Sequence, residues 1–430
     1  MYSIRPKETP EKLYSVAPQK SRQSIDDHDT VESIEDYVTG GYHPVHLEDT
    51  LNGRFEVFHK LGIGRFSTVW LCFDQNDEAR PWKAIKILRA DASRDDVAEI
   101  KAATYFKSIN ITVEQLEENH VYLPGEHFWL SGPNGRHLCL VMPALGPPIE
   151  SKPLEGDLDQ NAILQAVEGL GFLHRNGLCH GDLRPPNLLQ RIIHISKIGK
   201  NVMLERLGKP TKRKVTVISE ERLELHAPKY LVEATSLASF AVRGECCITD
   251  FGDAFLAKDP PKNSITPEFA APEIIYECGK PGPASDIWAL GCTIVQFRSG
   301  FTLGHMHGGM NWDDNQNLEV FLGALPEPYR SAFQKKRQIA AEQMNGTLED
   351  LNMELLGVLS DAESTTETTD HMGPPMNEFG KRDYSCLHKL CGYKPPPEEV
   401  TTLANLLRKI FKYNPDARIG AKEITYHDWF

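Results

Sequence analysis

Hydrophobic and polar positions change rhythm partway along the chain. From Phe55 to about Met142, apolar, β-branched and aromatic runs of strand length are bounded by turn residues: EVFHKLG, STVWLCFD, WKAIKIL and HLCLVM. One stretch among them, DDVAEIKAATYFKSI, sets apolar residues three and four apart and predicts a helix. Beyond Pro143 helical spacing takes over, in QNAILQAVEGLGFLHRNG, SDIWALGCTIVQFRSG and EVTTLANLLRKIF. The pattern predicts an α+β fold of two lobes. A small β-rich lobe with one main helix spans residues 41–143, and a larger, mainly helical lobe spans 144–430, joined at PALG near 143–146.

Three segments fall outside that rhythm. Residues 1–40 are polar, carry the acidic cluster DDHDTVESIEDY and lack periodicity, which predicts a disordered extension. Residues 190–245 read as an insertion in the second lobe, with a basic patch, KPTKRK, and a weak strand signal in VTVIS. Residues 330–398 read as a second insertion, acidic and rich in Ser, Thr, Gly and Pro.

Composition narrows the picture only a little. The chain has 430 residues, 40% hydrophobic and 25% charged, as an ordinary globular protein does. A formal net charge of -13 argues against direct nucleic-acid binding by bulk electrostatics and is compatible with a basic partner. The nine cysteines are scattered without a C-x-x-C pair, which suits buried thiols in a reducing compartment. No apolar run reaches the roughly 18 residues of a membrane helix, and MYSIRPKETPEK has no hydrophobic signal core. The expectation is a monomer in the cytoplasm or nucleus, without a membrane partner. His305 and His307, in GHMHGGM, read as loop residues and not as metal ligands.

Candidate chemistry concentrates in GLCHGDLRPPNLL, residues 177–189. Asp182 can accept the proton of an attacking hydroxyl, and Asn187 can offer an amide oxygen to Mg²⁺. Arg184 carries a fixed charge suited to a phosphoryl group. Further on, TDFGDAF sets Asp250 just after an apolar pair, as a second magnesium ligand. Upstream, LGIGRFSTVW holds Gly62 and Gly64, which let backbone N–H groups approach phosphates, with Ser67 nearby as a further donor. Lys86 ends an apolar strand and needs a partner there, and Glu99 on the following helix is the candidate.

Taken in this order, these residues resemble the eukaryotic protein kinases across roughly residues 55–430. More narrowly, GGYHPVHLEDTLNGRFEVFHKLGIGRFSTVWLCFD resembles the SR-protein kinases of the CMGC group. The insertion before D-F-G and the run NLEVFLGALPEPYR are similar to that group more loosely. The resemblance implies a bilobal protein-kinase fold with ATP and Mg²⁺ as cofactors. It implies a nucleotide pocket built from Leu61, Gly62, Gly64, Ser67, Val69, Ala84, Lys86, Met142, Pro143 and Leu145. It implies catalysis by Asp182 with Arg184, Lys86 and Glu99, and magnesium held by Asn187 and Asp250. Thr266, in ITPEF, resembles the Ser/Thr-class threonine that contacts the catalytic aspartate. The implied substrates are proteins, of the Arg/Ser-rich splicing-factor kind, with Asp313, Asp314 and Glu319 either a docking face for them or a solvated acidic loop. Regulation of mRNA splicing follows from that.

Two rival readings are weighed against this one. The H-G-D-L-x-P-x-N look also belongs to kinases of antibiotics and choline. Ala271-Pro272-Glu273, the helix with Asp286, Trp288 and Gly291, and Arg418 resemble the protein kinases instead, with Glu273 and Arg418 expected as a buried ion pair. A scaffold without turnover is suggested by Gly181, where an arginine is usual, and by Arg184, where a lysine is usual. Every metal and base position is nevertheless intact. Phe251 and ITPEFA depart from the SR-protein-kinase pattern, which puts substrate choice in doubt.

Overall fold

The computed structural model describes residues 14–16, 30–149, 157–192, 195–217, 226–261, 269–299, 322, 324–335 and 397–430. The chain forms two compact units. One comprises Met1–Leu116, Tyr122–Pro147 and Gln190–Val242; the other comprises Glu117–Val121, Pro148–Leu189 and Arg243–Phe430.

In chain order the first unit begins with β1 (Tyr14–Val16), then β2 (Thr50–Leu51), β3 (Phe55–Gly64), β4 (Ser67–Asp74) and β5 (Trp82–Leu88). Helices α1 (Ala98–Ser108) and α2 (Val113–Glu118) follow, then β6 (Glu126–Gly132) and β7 (Gly135–Pro143). Six of these strands make one antiparallel sheet in the order β2-β3-β4-β5-β7-β6. Alternation along the strands turns Phe55, Val57, Trp70, Ile85, Ile87 and Val141 onto one buried face. Glu99, Ala102 and Phe106 are buried together because three- and four-residue steps share one face of α1. The strand β6 and the short helix α2 escape the sequence pattern; EHFWLSG carries polar ends and only half-buried centres.

The second unit contains α3 (Asp157–Arg175), β8 (Leu178–Cys179) and β9 (Leu188–Ile192), whose final residues belong to the first unit. After α4 (Lys200–Leu207), β10 (Lys212–Val217) and β11 (Tyr230–Val232), the chain continues through β12 (Ala241–Ile248) and β13 (Phe255–Leu256). It ends with α5 (Pro272–Ile275), α6 (Pro283–Ser299), α7 (Pro397–Ile410) and α8 (Ala421–Ile424). Helix α6 buries Ile287, Trp288, Ala289, Leu290, Cys292, Ile294 and Phe297, nearly all round its circumference, as a central helix must. Arg418 and Glu273 form the expected buried pair, bidentate at 2.7 and 2.6 Å, with Ser285 donating to Glu273 at 3.0 Å.

Two expectations need correction. Residues 30–40 are ordered, not disordered: a short 3₁₀ turn, Ile34–Asp36, is capped by Ser33, and Tyr37 is buried. Residues 190–242 pack with the first unit and not with the second lobe. The reason is shared apolar burial. Leu231 joins Ile34, Tyr37 and Tyr42 in one small core. Met203, Leu237 and Phe240 join Leu71, Trp82 and Ala144 in another. The start of the weak VTVIS signal, residues 215–217, belongs to β10, which pairs with β1 and with β11.

Candidate functional site

The first unit carries a glycine hairpin and an ion pair. Strands β3 and β4 pair Gly64 with Ser67 and Gly62 with Val69. A Cβ built on Gly62 would meet nothing within 4 Å, and one on Gly64 would make only ordinary contact with Ser67. Neither glycine has a positive φ. The fold itself therefore does not demand them; what a side chain would obstruct is the approach of something outside the chain. Ser67 is buried in the hairpin and Phe66 at its tip is exposed.

Lys86 lies opposite Val69 on β4 and Leu140 on β7. Its Nζ donates to Glu99 at 3.1 Å. Glu99 is buried, so the ammonium both satisfies it and is aimed by it. Ala84 pairs with Met142 and Lys83 with Pro143, which brings Ala84, Met142 and Pro143 together at one end of the sheet. Leu145 follows, half-buried, where Gly146 N–H donates to the Gln190 carbonyl at 2.8 Å. Leu61 packs against the cluster around Trp82.

The second unit carries a braced loop. Asp286, at the start of α6, accepts from the backbone N–H groups of His180 and Gly181 at 2.8 and 2.9 Å and from His174 Nε2 at 3.0 Å. Burial alone would raise the Asp286 carboxyl, but the His174 hydrogen bond and the Gly181 N–H help hold it below its ordinary range. His180 is wholly buried. Its Nε2 meets the Thr249 carbonyl at 2.9 Å and its Nδ1 accepts from Asp182 N–H at 3.2 Å. Its ring packs on Phe251, with centroids 4.9 Å apart.

Within that frame Arg184 Nε donates to Asp182 Oδ2 at 2.9 Å. The Asn187 amide nitrogen donates to the Asp182 carbonyl at 2.7 Å and to its Oδ2 at 3.0 Å. With both N–H donors turned to Asp182, the Asn187 amide oxygen faces the other way, as a cation ligand requires. Thr249 N–H and Oγ1 both donate to the Asn187 carbonyl, at 2.9 and 3.2 Å, so the residue before Asp250 is tied to the residue that closes the loop. Asp250 itself is exposed and sits at φ 59. An amide oxygen and a carboxylate are hard donors suited to magnesium, which keeps several water or phosphate ligands.

Gly181 has a structural reason. Its φ is +82, and a Cβ there would lie 2.2 Å from the Asp253 carbonyl oxygen. An arginine side chain has no room on this backbone, so the missing arginine is a condition of this loop's shape. His174, Thr249 and the tautomer-setting contacts of His180 were not legible in the sequence. The histidine before the aspartate was a usable signal; its partners were not. Thr266, Asp313, Asp314, Glu319, His305 and His307 lie outside the described residues.

A protein kinase domain family matches residues 240–430. The chain is 32% identical over 173 residues to SRSF protein kinase 3 of Homo sapiens, covering 38% of this chain and 30% of that protein. It is 33% identical over 190 residues to serine/threonine-protein kinase SKY1 of Saccharomyces cerevisiae, covering 41% of this chain and 25% of the relative. Over 422 residues it is 25% identical to serine/threonine-protein kinase SRPK of Physarum polycephalum, covering 93% and 91%. Its matches to the first of these relatives thus span under a third of their length. A crystal structure of a kinase domain, 17% identical, covers 90% of this chain and is itself 98% covered, with a TM-score of 0.55. The fold is that of the protein kinases, and the resemblance to the SR-protein kinases holds.

Proposed function

We propose that this SRPK-like chain is an ATP-dependent protein serine/threonine kinase. The observation that carries the reading is the braced loop: Asp182 is held by Arg184 and Asn187 on a backbone fixed by Asp286. Phosphoryl transfer asks a protein mainly for positioning and charge neutralisation. Asp182 accepts the proton of the substrate hydroxyl as that oxygen bonds to the γ-phosphorus and the γ-phosphorus parts from the bridging oxygen to the β-phosphate, releasing ADP. Arg184 offsets charge beside it. Asn187 and Asp250 would hold Mg²⁺, which supplies charge neutralisation at the phosphates. Lys86, aimed by Glu99, steadies the phosphates under Gly62 and Gly64. Arg/Ser-rich proteins are the proposed substrates, supported by the similarity to SRSF protein kinase 3. Gly181 gives no support to a scaffold reading, because the backbone requires it.

A radiolabelled ATP/Mg²⁺ transfer assay tests this, with an Arg/Ser-repeat peptide, a basic peptide lacking the repeat, and Asp182→Ala as the blank. Transfer to the repeat peptide alone supports the activity and the substrate class. Transfer to both supports the kinase and removes the specificity. A wild type no better than Asp182→Ala, while still binding ATP, would mean a scaffold.

A further inference from the structure

The glycine hairpin is held from outside its own strands by the segment that precedes them. Gly40, at φ +88, turns the chain, and its N–H donates to the Asn134 carbonyl at 2.8 Å. Gly41 must be glycine, since a Cβ would fall 1.8 Å from the Asp36 carbonyl oxygen. The carbonyls of Gly40 and Gly41 accept from Asp91 and Ala90 N–H at 2.8 and 3.0 Å, just beyond the strand of Lys86. This fixes Tyr42, whose buried phenol donates to the Gly64 carbonyl at 2.9 Å and reaches the Arg65 carbonyl at 3.3 Å. Arg89 closes the arrangement. Its N–H donates to the Phe66 carbonyl at 2.8 Å, its guanidinium lies 5.2 Å from the Tyr42 ring centroid, and it bonds Asp36 at 3.1 Å.

We propose that Tyr42 is a positioning residue for the nucleotide phosphates. In a trans peptide the C=O and the following N–H point opposite ways. Drawing the Gly64 and Arg65 carbonyls toward Tyr42 therefore turns the N–H groups of Arg65 and Phe66 away from it. Successive N–H groups aimed the same way form an anion-binding concavity. The phenol acts through the backbone and touches no substrate. Burial, with the charge of Asp36 adding to it, pushes the phenol above its ordinary value of 10 and keeps it a donor. The inference deepens the kinase reading and rests on it for the identity of the anion, the β- and γ-phosphates of ATP.

The test compares adenosine, ADP and ATP binding to the full-length protein and to Tyr42→Phe, which keeps the ring and loses only the hydroxyl. Losing one hydrogen bond should weaken ADP and raise the KM for ATP about 3–10-fold, with adenosine affinity and kcat changed by less than about twofold. Tyr37→Phe is the control. It lies in the same small core but donates to Glu32, so it should lower the melting temperature and leave the ADP-to-adenosine ratio alone. If adenosine and ADP weaken together in Tyr42→Phe, or neither weakens, Tyr42 is only structural. A wild type that binds ADP without transferring phosphate would overturn the activity, and the binding ratio would still decide Tyr42. A wild type that binds no ADP would overturn both.

Discussion

Lys60 and Lys86, both on strands of the six-stranded sheet, each meet a glutamate, and the two pairs differ in kind. Lys86 meets Glu99 at 3.1 Å with 15% and 8% of the side chains exposed. Lys60, on β3, meets Glu32 with 0% and 1% exposed. The sealed pair is backed by the Tyr37 hydroxyl, which donates to Glu32 at 2.5 Å, and by the Trp70 ring, 4.9 Å from the ammonium. Burial pulls Lys60 below its ordinary value even with Glu32 opposing the shift. The sealed pair is saturated by the chain's own groups and fastens residues 30–42 to the sheet. The other keeps an edge open to solvent, where a ligand's phosphates can take the ammonium. Identical residue types thus serve a fastening in one place and, on the proposed function, a phosphate site in the other, and access to solvent separates the two.

The sharpest way to break that contrast is Glu32→Ala. It leaves the Lys60 ammonium buried without its carboxylate and should cost about 3–5 kcal/mol in urea unfolding. Replacing both partners, Glu32→Leu with Lys60→Met, should recover most of that loss, since no charge is left stranded. If the double variant is as unstable as the single one, the pair matters by its shape and not by its charge.

Lys86→Met should do the opposite. Losing one preorganised electrostatic group should lower kcat by about 10²–10³-fold. Its partly open setting predicts a melting temperature much closer to wild type than that of Glu32→Ala. A Lys86→Met protein that unfolds as readily as Glu32→Ala would erase the distinction.

The smallest effect concerns pH, beside the same lead-in. Burial, with His137 adding repulsion, lowers His43 to about 4 from an ordinary 6.5. The rings lie 4.8 Å apart, and burial lowers His137 too. Between pH 6.5 and 4 the unfolded chain binds the proton and the folded one does not. Stability from His43 is therefore complete above 6.5 and falls as the pH drops toward 4. Urea unfolding at pH 7.5, 6 and 5 should show this fall, and His43→Phe should make it shallower without abolishing it. An unchanged slope would place the titration elsewhere.

Legibility followed the range of the interactions. The main strands and helices, Lys86 with Glu99, and Asp182 with Asn187 could be read in the chain because each depends on spacing within a short window or on one strand followed by one helix. The strand at 126–132 was not legible, since its half-buried residues give no clear alternation. The lead-in looked disordered because it is polar. Its order comes from Lys60, Leu231 and Asn134, which no local pattern connects to it.

The sequence by itself determined the secondary-structure rhythm and the residue types available for the proposed phosphate chemistry. These follow from side-chain periodicity and from the few residue types able to carry that chemistry. Tertiary structure alone decided that residues 190–242 belong with the first unit and that Lys60 is sealed while Lys86 is not. It alone decided that Gly181 admits no side chain and that Tyr42 steers the glycine hairpin. Burial and hydrogen-bond partnership are properties of neighbours in space, and here the neighbours lie up to about two hundred positions apart along the chain.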